Sequence, residues 1–137
     1  MGFTERLQTT AVFNKAAKLK LDFPDKRVGV HVENLPFCPY PINENTTEES
    51  QLWIFTHHIQ AELFLLTHYD ILVSDRTIVD CIAYTQEAGF KDLATHMIMM
   101  SLHHMKRYSE ISFRFIKNNS YLHEEGFRVC HRVNNFY

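Results

Sequence analysis

The sequence predicts an α/β protein in which helices cover a small, mostly parallel sheet. Segments with apolar residues at helical spacing alternate with short β-type segments along the whole chain. Residues 71–73 form a continuous apolar run, typical of a parallel strand that is buried on both faces. The length of 137 residues, 45% of them hydrophobic and 22% charged, fits one domain, residues 1–137.

The first half of the chain predicts a helix, a strand, an extended loop and a second helix. These elements cover residues 9–21, 28–32, 34–45 and 46–67. Pro24 ends the first helix, and three prolines keep the loop extended. Thr46 or Thr47 caps the second helix, because Glu48 and Glu49 follow in its first turn, where the helix dipole favours negative charge. Its expected buried face consists of Leu52, Phe55, Ile59, Leu63 and Leu66.

The second half predicts a buried strand, two helices, a further strand and a mixed tail. These elements cover residues 71–73, 77–86, 92–108, 110–116 and 117–137. Gly89 separates the two helices, and Gly126 is expected to form a turn in the tail. The core-facing residues of the second of these helices are expected to be Leu93, Met97, Met100 and His104. The methionines at 97, 99, 100 and 105 are interpreted as packing residues.

Charged residues follow the ends of the predicted strands. Glu33 follows the first strand, Asp75 and Arg76 follow the second, and Lys117 follows the third. Ligands of open α/β sheets bind beyond the carboxyl ends of the strands. Carboxylates there can hold Mg²⁺ or accept a proton, and an arginine can bind phosphate oxygens. The alternative is that Asp75 and Arg76 cap the next helix and form an ion pair.

Composition and charge argue against several classes of function. With 14 basic and 16 acidic residues the net charge is −2, which argues against a nucleic-acid surface. No apolar run is long enough for a membrane span, and residues 1–6 lack the pattern of a signal peptide, so a cytoplasmic protein is expected. The three cysteines are far apart and expected to be reduced, with Cys81 buried. The nine histidines show no metal-binding spacing, although His58 and Glu62 share a helix face; we expect scattered surface or half-buried histidines.

Two segments resemble a known family. They are PINENTTEESQLWI at residues 41–54 and YDILVSDRTIVDCIAY at residues 69–84, with EGFR at residues 125–128 as a weaker third. They resemble P-loop NTPases of the nucleoside and nucleotide kinase-like group, which includes nicotinamide riboside kinase-type domains. The resemblance implies a three-layer sandwich, a nucleotide or nucleoside-type ligand, phosphoryl transfer, and Mg²⁺ with ATP or GTP as cofactors.

The resemblance also implies roles for individual residues. Glu33 would act as the base or bind the acceptor hydroxyl, Gln51 would contact the acceptor, and Asp75 would hold Mg²⁺. Arg76 and Arg128 would bind phosphates. Trp53 and Tyr84 are aromatic residues that can stack on a base, but core packing explains them equally well.

The phosphate loop of this family is altered in the sequence. Gly2 would be its first glycine, and Thr9 and Thr10 its hydroxyl pair, with Thr9 on Mg²⁺. Leu7 replaces the second glycine, and Gln8 replaces the lysine that neutralises the phosphates. The sequence therefore predicts a weak or inactive phosphotransferase, a pseudoenzyme.

The family's first strand and its C-terminal end have no counterpart in the sequence, as in a natural short form, a miscalled gene start or a fragment. The missing strand would lie between the strand that ends at Asp75 and the one that begins near Glu110. Either these neighbours pair directly, or a homo-oligomer completes the sheet. The alternative function is a non-catalytic assembly protein that self-associates through exposed sheet edges.

Overall fold

The computed structural model describes residues 3–32, 37–117 and 124–132 of the chain. The elements are α1 (Phe3–Asp22), β1 (Val28–His31), α2 (Glu48–Leu66), β2 (Ile71–Ser74), α3 (Ile78–Glu87), α4 (Lys91–Met105), β3 (Tyr108–Lys117) and β4 (Glu124–Arg132). A single 3₁₀ turn, Asn43–Asn45, lies within the predicted loop. The α/β class predicted from the sequence is confirmed.

The sheet has the strand order β1-β2-β4-β3. β1 and β2 are parallel, whereas β4 is antiparallel to both β2 and β3. The prediction of a mostly parallel sheet is therefore wrong. The physical reason is the short separation between Lys117 and Glu124, since parallel pairing needs a crossover of a dozen or more residues.

β4 occupies the place where the sequence analysis expected a missing strand. It lies between β2 and β3. Among the described strands, β2 and β3 therefore do not pair directly, and the strand between them comes from the same chain. Gly126 pairs with Phe115 within the β3–β4 ladder, so its prediction as a turn is wrong.

Helices pack on both faces of the sheet. Val12 and Leu19 of α1 form a core cluster with Ile71 and Val73 of β2. Leu72, which points to the opposite face because side chains alternate along a strand, packs with Leu66 of α2. The short strands β1 and β2 are thus covered on both sides, as the apolar run at 71–73 predicts.

The predicted phosphate-loop segment is helical in its described part. α1 begins at Phe3, six residues before the predicted helix start, and it contains Gln8, Thr9 and Thr10. A phosphate-binding loop has to precede its helix, because the free N–H groups of the helix start are what receive the phosphates. The residues predicted to be the hydroxyl pair therefore lie inside α1, with Thr10 exposed.

α2 begins at the predicted cap but buries a different face. Thr47 accepts a hydrogen bond from the backbone N–H of Ser50 and completes a capping box. Phe55 and Leu66 are buried as predicted, whereas Leu52 and Leu63 are 47% and 41% exposed. The other buried residues of α2 are polar: Ser50, Gln51, His58 and Glu62. The buried stripe is thus rotated by about one residue from the predicted one, because these polar groups find partners inside the protein.

α3 and α4 meet at Gly89, which has a φ of 94° in the left-handed region that favours glycine. Met97 of α4 is buried in a cluster with Phe55 and Ile82. Met99 and Met100 are exposed, so their prediction as core residues is wrong. Among the helices of the described residues, none has the length and apolar character that a membrane crossing requires.

Candidate functional site

β1 and β2 end side by side, which forms a carboxyl edge of the sheet. His31 and Ser74 are register partners there, and the backbone N–H of Asp75 donates to the carbonyl oxygen of His31 over 3.4 Å. Asp75 and Arg76 follow, and both are half-buried. Arg128 of β4 is the register partner of Ser74 on the other side of β2. The backbone thus brings Asp75, Arg76 and Arg128 to one edge of the sheet.

The cap of α3 is formed by other residues of the same segment. The Thr77 side chain accepts from the backbone N–H groups of Val79 and Asp80. The Asp80 carboxylate accepts from the Thr77 N–H over 2.7 Å. The part of the alternative interpretation in which Asp75 and Arg76 cap this helix is therefore wrong.

The remaining predicted site residues are dispersed. Gly2 and Glu33 lie outside the described residues. Trp53 is half-buried and stacks on His57 with the ring centroids 4.4 Å apart, and Tyr84 is 56% exposed on α3. Among the described residues, no contact places the Trp53 and Tyr84 rings in one site.

The Gln51 side chain is hydrogen-bonded to other side chains of the protein. Its amide nitrogen donates to Thr46 Oγ1 over 2.7 Å, and its amide oxygen accepts from Thr85 Oγ1 over 3.2 Å. The side chain is buried between α2 and α3. Each end of the amide thus has a partner within the protein, and the side chain links the start of α2 to α3.

The most concentrated polar chemistry of the described residues lies on the face of the sheet that α2 covers. We name this group the Glu62 cluster; its members are His31, His58, Glu62, His104 and Tyr108. Glu62 is fully buried, and each of the other four is at most 8% exposed. They come from β1, α2, α4 and β3, so the tertiary fold alone assembles them.

Glu62 is the centre of the cluster. Its Oε1 lies 3.0 Å from His58 Nε2, and its Oε2 lies 2.7 Å from His104 Nε2. The Tyr108 hydroxyl donates to the same Oε2 over 2.7 Å. The His31 ring packs against the His58 ring with the centroids 4.5 Å apart. A buried carboxyl group with this many partners is held in one orientation.

His104 is neutral in the folded protein at physiological pH. Burial, and secondarily the positive charge of Arg107, lowers its pKa from 6.5 to about 4. We assign the ring hydrogen of His104 to Nε2, because this nitrogen lies 2.7 Å from Glu62 Oε2, and Nδ1 is then the bare nitrogen. Nδ1 is buried and has no hydrogen-bond partner among the described residues. His104 therefore serves Glu62 as a neutral donor.

This pKa predicts that acid destabilises the protein. The unfolded chain binds a proton at His104 near pH 6.5, but the folded chain binds it only near pH 4. The stabilising contribution is therefore present above pH 6.5 and is lost as the pH falls toward 4, by about 2 kcal/mol between about pH 7.5 and about pH 5. The charged and titratable groups around this ring are Glu62, Tyr108 and Arg107.

Denaturant unfolding of the wild type and of His104→Gln at the two pH values measures this contribution. His104→Gln is expected to show a smaller loss of stability on acidification. His103→Gln, which changes an exposed histidine of the same helix, is expected to keep the wild-type loss. Equal pH dependence in all three proteins would contradict the assignment to His104.

Sequence reasoning found only part of the Glu62 cluster. The spacing of His58 and Glu62 shows that they share a face of α2, but a surface or half-buried position was expected for them. No signal in the sequence links them to His31, His104 or Tyr108, which are 27 to 50 residues away along the chain. Gln51, His58 and Glu62 recur at helical spacing along α2. This spacing is the one pattern in the sequence that indicates a polar buried face.

Comparison with known proteins assigns the chain to no family, and its α/β class comes from the structure alone. No protein-family model matches it, and neither a curated protein nor a solved structure gives a significant match.

Proposed function

We propose that this protein binds a nucleotide or a related phosphorylated small molecule at the carboxyl edge of β1 and β2. The observation that carries the proposal is the position of Asp75 and Arg76 directly after β2, next to a parallel neighbour. Parallel strand ends are where open α/β sheets bind ligands. Asp75 provides a carboxylate for Mg²⁺, and Arg76 provides a guanidinium for phosphate oxygens.

The proposed protein is a binder with weak or no phosphotransferase activity, built on the three-layer plan of the P-loop kinases. Helices on both faces of the sheet support that plan, whereas the antiparallel β4 departs from it. The helical state of the segment that contains Gln8 and Thr9 argues against a working phosphate loop. Without the loop lysine, the charge that develops during phosphoryl transfer lacks a counter-charge from this position. Binding then depends on the residues that follow β2.

Calorimetric titration with ATP and GTP, with and without Mg²⁺, tests this proposal. We expect binding that requires Mg²⁺ and that weakens at least about tenfold in Asp75→Ala, because the metal bridges the carboxylate and the phosphates. Arg76→Gln is expected to weaken binding to a similar extent. Asp92→Ala and Lys106→Gln remove exposed charges elsewhere and are the matched controls. No heat with either nucleotide in the folded wild type would contradict the proposal.

A second candidate function is self-association. β3 is ten residues long and forms one edge of the sheet among the described strands, and a long edge strand is a template for pairing with another chain. On α4 four large apolar side chains are exposed, namely Ile98, Met99, Met100 and Leu102. Sedimentation equilibrium separates the candidates: self-association requires a stable oligomer, and a monomer at about 100 μM would contradict it.

A further inference from the structure

Three metal-ligating side chains converge beneath the carboxyl edge. His31, His58 and Glu62 each offer one ligand atom, and these atoms all lie within 4.8 Å of one another. All three residues are buried. Two imidazole nitrogens with one carboxylate oxygen form the donor set of catalytic zinc sites and of the iron sites with two histidines and one carboxylate.

Two of the three ligand atoms already have the spacing of ligands on a common ion. His58 Nε2 and Glu62 Oε1 are 3.0 Å apart, because residues four apart on a helix share a face. Two ligands at about 2.1 Å from a common ion are separated by about 3.0–3.4 Å. His31 is the last residue of β1 and faces the same space from the sheet, where its ring packs on that of His58.

Glu62 is already oriented as a metal ligand would be. His104 and Tyr108 both bond to Oε2, so they fix the carboxyl plane and leave Oε1 directed toward His58. Hydrogen bonds of this kind to a ligating carboxylate are a recurrent feature of metal sites. Mutation of such a supporting residue typically weakens metal binding by about 10–100-fold.

Ser74 is an independent observation at the same place. Its Oγ is buried without a hydrogen-bond partner among the described residues. Ser74 is the register partner of His31, so both side chains point to the same face of the sheet. Buried hydroxyl groups normally have a partner, and a water on an ion held by His31 would supply one.

We propose that His31, His58 and Glu62 bind a divalent transition-metal ion of the zinc class, with His104 and Tyr108 as positioning residues for Glu62. Three protein ligands leave a fourth position for water or a small molecule, as in catalytic zinc sites. The ion replaces the hydrogen that bridges His58 and Glu62. This site is separate from the Mg²⁺ proposed at Asp75, because nitrogen ligands favour zinc over magnesium.

The test is titration of the full chain, freed of metal by a chelator, with Zn²⁺ against a chromogenic competitor and without nucleotide. We expect one equivalent to bind with a Kd of about 1 μM or tighter. Glu62→Gln and His58→Gln are expected to weaken binding at least about 100-fold, and Tyr108→Phe about tenfold. Bound Co²⁺ is expected to show the strong visible absorption of a four-coordinate site.

The matched control is the double variant His96→Ala/His103→Ala, which removes two exposed histidines of α4 and is expected to bind Zn²⁺ like the wild type. Circular dichroism checks that each variant is folded. If Glu62→Gln unfolds, His31→Gln and Tyr108→Phe decide the question. The proposed site would be overturned if the folded wild type binds no Zn²⁺. It would also be overturned if the surface variant loses Zn²⁺ binding while His58→Gln keeps it. Nucleotide titrations do not enter this experiment, so the two proposals succeed or fail separately.

Discussion

Glu62→Ala is expected to lower the free energy of unfolding by about 3–5 kcal/mol, because breaking a buried polar network leaves its remaining members unpaired. The variant removes the acceptor of the Tyr108 hydroxyl and of His104 Nε2, both of which are buried. Each group loses a hydrogen-bond partner at a buried position, so its desolvation is no longer offset by that bond. Urea unfolding in the presence of a chelator measures the effect without any contribution from metal binding.

Two further variants define the cause of this effect. Gln60→Ala truncates an exposed polar side chain of the same helix and is expected to change stability by less than about 0.5 kcal/mol. Glu62→Gln keeps one acceptor oxygen, so it is expected to lose less than Glu62→Ala. A loss in Glu62→Ala no larger than in Gln60→Ala would show that the cluster does not stabilise the fold.

Phe55→Ala is expected to cost about 3–5 kcal/mol of unfolding free energy. The Phe55 side chain is 1% exposed and packs where α2 meets α3 and α4, in a cluster with Ile78 and Met97. Truncation removes the transfer free energy of the ring and leaves a cavity among residues from three helices. Thermal or denaturant unfolding monitored by circular dichroism measures the loss.

Phe64→Ala is the matched control for this variant. It is the same substitution on the same helix, but the Phe64 ring is 65% exposed. We expect a loss below about 1 kcal/mol, since most of this ring already contacts water. Similar losses in the two variants would mean that the packing of α2 differs from the one described.

The elements whose local pattern is strong were predictable. The cap at Thr47, the break at Gly89 and the buried strand at 71–73 each depend on neighbouring residues, and the structure confirms them. The position of Asp75 and Arg76 after a strand is of the same kind. The prediction that Cys81 is buried also depends on neighbouring residues, and it is confirmed by the position of Cys81 in α3.

The elements that depend on distant partners were not predictable. Periodicity shows that α2 is amphipathic, but two adjacent stripes compete for burial, one with Leu52 and Leu63 and one with His58 and Glu62. The polar stripe is buried because His104 and Tyr108, more than 40 residues later, provide hydrogen bonds to Glu62. Hydrophobicity alone favours the other stripe.

By itself, the sequence determined the α/β class, most helix and strand positions, and the charged residues that end β2. These depend on spacing, capping and turn chemistry within about ten residues of chain. Only the tertiary structure decided that β4 lies antiparallel between β2 and β3, and that four polar side chains meet around Glu62. Strand order and buried polar contacts are set by pairing between segments far apart in the chain. No local sequence pattern shows which of these segments pair most favourably.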